Sequence, residues 1–262
     1  MSSFADGEAE AYDGVARAAL ATRLGVARLA LYARVGSTMD VAHALAAAGA
    51  CDATLVLADA QTGGRGRGGR RWASPPGTGV WATWIARPER ADALDVLSLR
   101  VGLALAEQLD ALAPAPVRIK WPNDLLLAGP APGKVAGILV EARWREARPE
   151  WVAIGVGINV RPPNDAALPA AWLGAHVSRV DVAEALTRAL RAASRAAGPL
   201  GADELHAYAA RDAILGRQVV APVAGTVAGL LPTGEVLVRR ADGVEVALRQ
   251  ATLTYADEPL PD

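Results

Sequence analysis

At 262 residues, with 52% apolar and 21% charged side chains, the chain has material for one large or two unequal domains around a packed core. Lysine plus arginine number 27 against 28 acidic residues, and this net charge of −1 excludes attachment to nucleic acid or an anionic membrane mainly through bulk charge. A single cysteine, Cys51, excludes a disulfide framework or a Cys-rich zinc module, and without a signal-peptide pattern or a membrane-length apolar run the expectation is a soluble, cytoplasmic protein.

Residues 1–14 read as an acidic, frayed start, and 15–25 have helical spacing closed by a glycine. Residues 29–35 read as a strand, after which Ser37 or Thr38 caps a helix running to Gly49. Residues 54–58 form a strand that empties into a glycine-rich loop over 61–71. Strand 79–86 places Trp81 and Trp84 on opposite faces, and 92–112 has helix length and period. Residues 117–121 alternate cleanly, while 135–144 and 151–160 are two strands paired across a charged turn. A proline-rich stretch (Pro162, Pro163, Pro169) precedes helices at 180–197 and 202–213. Beyond residue 215, short strands at 218–221, 226–231, 235–239 and 244–249 alternate with turn signals, the pattern of a small β-barrel. The division expected is 1–215 for the main domain and 216–262 for the barrel.

The segment from Gly63 to Arg71 packs four arginines and five glycines into nine residues and ends at Trp72. Glycine lets backbone N–H groups close on an anion, and arginine offers paired donors to phosphate or carboxylate. No lysine follows in the phosphate-loop position, and no helix opens behind it as a dinucleotide fingerprint requires. A solvated loop or an RNA-binding segment is the plainer reading, but its position between strands favours an anion-closing loop.

Of the 27 basic residues only Lys120 and Lys134 are lysines. Lys120 precedes Trp-Pro-Asn123-Asp124, a strand end that can present an amide and a carboxylate, or simply an Asn-Asp turn. Lys134 opens an apolar strand, where a rim charge is the alternative. Gly155 and Gly157 lie inside a strand beside Asn159, which costs stability unless something must approach closely or a bulge forms there. His43, His176 and His206 lack metal-ligand spacing, Cys51 reads as structural, and Ser37 has no base near it in sequence.

Taken together, Gly36-Ser-Thr-Met-Asp40, Gln61-Thr-Gly-Gly-Arg-Gly-Arg-Gly-Gly-Arg-Arg-Trp72, Lys120-Trp-Pro-Asn-Asp124, Lys134-Val-Ala-Gly-Ile-Leu-Val-Glu141 and Gly155-Val-Gly-Ile-Asn159 resemble the biotin protein ligases, over roughly residues 29–255. The resemblance implies an α+β fold: a mixed or antiparallel sheet with helices packed on it, like class II synthetases, plus the C-terminal barrel. It implies a two-step ligase that makes biotinyl-5′-AMP from biotin and ATP with Mg²⁺, then biotinylates a lysine of a biotin carboxyl carrier protein. Ser37, Thr38, Gln61, Gly64, Arg65, Trp72 and Gly155 are the implied biotin contacts. Arg67, Arg70, Asn123, Asp124, Lys134 and Asn159 are the implied nucleotide contacts, with Asn123, Asp124 and Asn159 on the adenylate or metal side. Lys134, Arg65, Arg67 and Lys120 are the implied catalytic group, and no protein metal-ligand set is expected.

Three departures from the family pattern stand out. Gly68 replaces a common loop arginine, residues 128–133 lengthen the approach to Lys134, and only 36 residues precede Ser37. That count leaves no room for a winged helix of about 60 residues, so a ligase without operator binding is expected. A lipoate ligase or octanoyl transferase of the same superfamily and an RNA-binding module remain as alternatives.

Overall fold

In the computed structural model, which describes residues 7–128, 133–162, 170–249 and 251–257, apolar strands alternate with helices from the start of the chain. A hairpin of β1 (Ala11–Tyr12) and β2 (Val15–Ala16) leads to α1 (Arg17–Leu24), β3 (Arg28–Val35), α2 (Thr38–Ala47), β4 (Thr54–Gln61) and β5 (Gly79–Ala86). Then come α3 (Leu97–Leu109), β6 (Val117–Lys120), β7 (Asp124–Leu127), β8 (Gly133–Arg145) and β9 (Arg148–Asn159). The chain closes with α4 (Arg179–Arg195), α5 (Ala202–Arg211), β10 (Gln218–Ala221), β11 (Gly225–Leu230), β12 (Val236–Arg239), β13 (Glu245–Leu248) and β14 (Thr254–Tyr255).

Seven strands form one sheet in the order β3-β4-β5-β9-β8-β7-β6. Only β3 and β4 are parallel, joined through α2; every other pair is antiparallel, so the sheet is mixed as expected. Every residue of β5 is buried, which is why its sequence is apolar on both faces apart from Thr83 rather than alternating. Trp84 packs among α3 and α4 on one face. On the other face Val41, Ala42 and Ala46 of α2 pack on Val56, Ala58 and Ile85. The α2 layer is narrow, and the sheet beyond it carries Gly155, Gly157 and Gly137, whose lack of side chains lets other groups settle low in a trough on the strands.

Four expectations change. The start is not frayed over its described part, because Tyr12 is buried and the β1–β2 hairpin is tied down by an ion pair between Asp13 in its turn and Arg179 of α4. The helix expected over 92–112 is a short 3₁₀ turn, Leu94–Val96, followed by the shorter α3. Cys51 is exposed, its Sγ 3.5 Å from Thr54 Oγ1. The C-terminal strands form an open sheet, ordered β13-β12-β11-β10-β14, in place of the expected barrel. Closure would need β13 to meet the two-residue β14, and these are the sheet's opposite edges. This sheet is not isolated: Val219, Val236 and Tyr255 belong to the same apolar cluster as α3 and α4, and Trp121 Nε1 donates to Gly234 O at 3.0 Å. Residues 129–132, Pro163 and Pro169 lie outside the described residues.

Candidate active site

The parallel β3–α2–β4 unit brings the end of β3 and the end of β4 to the same edge of the trough. Ser37 caps α2, accepting from Met39 N at 3.3 Å, and Thr38 opens the helix. Gln61 Oε1 accepts from Thr38 N at 2.8 Å and from Thr38 Oγ1 at 3.1 Å, while Gln61 Nε2 donates to Ser74 Oγ at 2.8 Å. Thr83 Oγ1 donates to Thr38 Oγ1 at 2.9 Å. These bonds fix the orientation of each polar group, so this end of the trough is a preset array of donors and acceptors.

The middle is apolar. Trp72 lies flat over the backbone of β8 and β9: a Cβ on Gly157 would overlap the indole at Nε1, and one on Gly137 would sit 2.9 Å from Cζ3. The paired glycines inside these strands are therefore explained by a close approach, and what approaches is Trp72. Met39 covers Gly155 in the same way, its Cε 2.7 Å from where a Cβ would be. The buried Nε1–H of Trp72 finds no acceptor among the described residues.

The far end is charged. Lys134 Nζ, at the start of β8, pairs with Asp124 Oδ1 at 2.7 Å and stands 4.9 Å from the Trp72 ring centroid. Asn159 Nδ2 donates to Lys134 O at 3.1 Å, so its carboxamide oxygen is turned away from that bond. Asn123 follows the cis Trp121–Pro122 peptide in the β6–β7 turn and donates to Ile138 O at 2.8 Å. Its Oδ1 accepts from Arg67 at 3.3 Å. Burial pulls the Arg67 guanidinium below its ordinary value, against the opposing pull of Asp124.

The loop between β4 and β5 covers the cleft and is bonded within itself. Gly66 N bonds Arg70 O, Arg70 N bonds Arg67 O, and Trp72 N bonds Gly64 O, around one 3₁₀ turn at Arg67–Gly69. Gly68 sits at φ 64°, ψ 28°, the left-handed region, where an arginine would be strained. The glycine departure is thus paired with a backbone conformation that favours it.

Of the residues singled out from sequence, Ser37, Thr38, Gln61, Arg65, Arg67, Trp72, Asn123, Lys134 and Gly155 line one cleft, and Asp124 and Asn159 bond to Lys134 at its end. Gly64 is buried under the loop, where a side chain would strike Trp72 O, and Arg70 is on the exposed part of the loop. Lys120 is not among the lining residues; its Nζ stands 5.2 Å from the Tyr255 ring centroid, toward β14. Met39, Thr83, Gly137 and Leu139 line the cleft without having been singled out as site residues. The described residues include no group of three or more His, Cys, Asp or Glu able to hold a metal ion, and no helix long and apolar enough to cross a membrane.

Residues 31–159, the stretch that holds the cleft, match the Biotin/lipoate A/B protein ligase family. Among curated relatives, the "Bifunctional ligase/repressor BirA" of Bacillus spizizenii is 42% identical over 132 residues, covering 50% of this chain and 40% of that protein. The "Biotin--[acetyl-CoA-carboxylase] ligase" of Paracoccus denitrificans is 42% identical over 139 residues, covering 52% and 56%. The chain thus spans about half the length of the curated relatives it matches. Among solved structures, the biotin protein ligase from Aquifex aeolicus in complex with biotin and ATP superposes with a TM-score of 0.69 over 87% of this chain and 98% of that one. At 23% identity that likeness speaks for the fold. The biotin protein ligase from Leishmania major in complex with biotinyl-5-AMP gives a TM-score of 0.57 at 26% identity, over 82% and 96%.

Proposed function

We propose that the chain is a biotin protein ligase, which joins biotin to ATP as biotinyl-5′-AMP and passes the biotinyl group to a lysine of a carboxylase's biotin carrier domain in the cytoplasm. The observation that carries this reading is the order of chemistry along one cleft. A preset polar array (Ser37, Thr38, Gln61, Thr83) gives way to an apolar floor and wall (Met39, Trp72, Gly155, Gly157), and then to charge (Arg67, Lys134, Asp124). Such a sequence suits an acid with a polar cyclic head, an aliphatic chain and a terminal carboxylate, held where the carboxylate meets a phosphate.

In the first step a carboxylate oxygen attacks the α-phosphorus and pyrophosphate leaves. Two anions must be brought together, and Lys134 and Arg67 supply the positive charge where they meet. The unpartnered Trp72 N–H is a donor for an oxygen of the bound acid. Magnesium suits this end, since it is commonly held by one or two carboxylates plus the phosphates of its substrate. Asp124, with the carboxamide oxygens of Asn123 and Asn159, would touch it, and it would offset triphosphate charge. In the second step an acceptor lysine amine attacks the acyl carbon, AMP departs, and the amine loses a proton. The loop keeps water from the mixed anhydride meanwhile. The division into a catalytic unit, 1–215, and a smaller unit, 216–262, is part of the same proposal.

The test is biotin-dependent pyrophosphate release with Mg-ATP, with lipoate as the comparison acid. Release is expected with biotin, lowered about 100-fold in Lys134→Ala. Equal release with lipoate, or none with either acid, would overturn the reading.

A further inference from the structure

The two cleft arginines of the loop are held differently. Arg67 bonds an amide, whereas Arg65 Nη2 sits 2.9 Å from Asp40 Oδ1 in α2 and 3.4 Å from Glu141 Oε2 in β8. Glu141 Oε2 is also 2.8 Å from His43 Nε2, and Trp151 Nε1 donates to His43 Nδ1 at 2.9 Å. An indole N–H only donates, so His43 Nδ1 must accept. The neutral ring then carries its proton on Nε2 and donates it to Glu141. Trp151 is itself fixed, buried in the apolar cluster under α2. Arg87, with its guanidinium carbon 6.0 Å from the Trp151 ring centroid, is anchored by bonds to Ala46 O, Ala50 O and Glu150 O. A continuous chain of contacts thus runs from the core through Trp151, His43 and Glu141 to Arg65.

We propose that Glu141 and His43 are positioning residues that latch the Arg-Gly loop over the cleft by holding Arg65, which makes Arg65 a clamp and leaves Arg67 as the loop cation facing the ligand. This deepens the ligase reading and rests on it only for what the loop covers. His43 keeps the Glu141 carboxylate from turning away, and Asp40 meets the same guanidinium nitrogen from the helix side. The motif blocks hold Asp40 and Glu141, but the partner that orients Glu141 comes from one turn further along α2.

The test is hydrogen exchange at the loop amides of Gly66, Arg70 and Trp72, all bonded within the loop, measured on the ligand-free full chain. Because these side chains are partly exposed, exchange should quicken modestly, about five-fold, in Glu141→Ala and in Asp40→Asn. His43→Leu should act in the same direction. His43→Gln, whose amide can still donate to Glu141, should exchange like the parent. Unchanged loop exchange in both Glu141→Ala and His43→Leu would overturn the proposal. So would equal acceleration along β4, which would make these residues mere supports of the sheet. Pyrophosphate release is measured beside it: loop quickening without biotin-dependent release keeps the latch and removes the ligase reading.

Discussion

Gly157 and Trp72 are one unit at the scale of single residues, since the indole occupies the space a side chain on Gly157 would fill. Gly157→Ala should therefore cost about 1–3 kcal/mol as overpacking. It should also push the indole into the cleft, and on the proposed reading titration calorimetry is expected to show biotin binding weakened at least about ten-fold. Stability should return when Trp72→Phe is added, while binding should not. The residues legible in the sequence were those that break a pattern: glycines inside strands, arginines among glycines, two lysines in an arginine-rich chain. Thr83, Met39 and Glu141 break none. Thr83 faces the cleft only because β5 pairs with β9 in a register that sets it opposite Gly155, and His43 matters only because Trp151 comes from a strand that adjoins β5. Such neighbours are set by pairing between strands far apart in sequence.

Among the elements, α4 is fastened at its first residue. Arg179 is 3% exposed, pairs with Asp13 and with Asp59 of β4 (2.5 Å to the latter), donates to Gly79 O at 3.4 Å, and lies over Tyr12. One guanidinium so joins the N-terminal hairpin, the sheet and the helix layer. Arg179→Met should cost about 3 kcal/mol in chemical denaturation, because two carboxylates lose their closest cation. Adding Asp59→Asn should recover part of that loss. Long periodic elements such as β8, β9 and α4 could be read from spacing, within a residue or two at most ends, and β5 from its apolar run. The hairpin at residues 11–16 and β7 could not: two-residue strands carry too little alternation, and β7 reads Asp-Leu-Leu-Leu with no alternation at all, so they are held by contacts to α4 and β8.

Across the molecule, the C-terminal sheet shares its apolar cluster with the helices that back the main sheet, and Trp121 bonds across to Gly234. Calorimetry on the whole chain is therefore expected to give a single cooperative transition; two resolved transitions would mean that the shared packing carries little energy. The strand order has a second consequence. Gln61 belongs to β4 and Lys134 to β8, with β5 and β9 between them. Three inter-strand spacings separate those two strands, roughly 14 Å, and side chains reach inward from both. Backbone hydrogen bonds set that interval, and no side-chain change within the cleft can stretch it. On the proposed ligase reading the sheet acts as a ruler: an acid anchored by its head at Gln61 presents its carboxylate to Lys134 only when its chain has the matching length. A homologue one methylene longer or shorter would be gripped at the head and held out of reach at the tail.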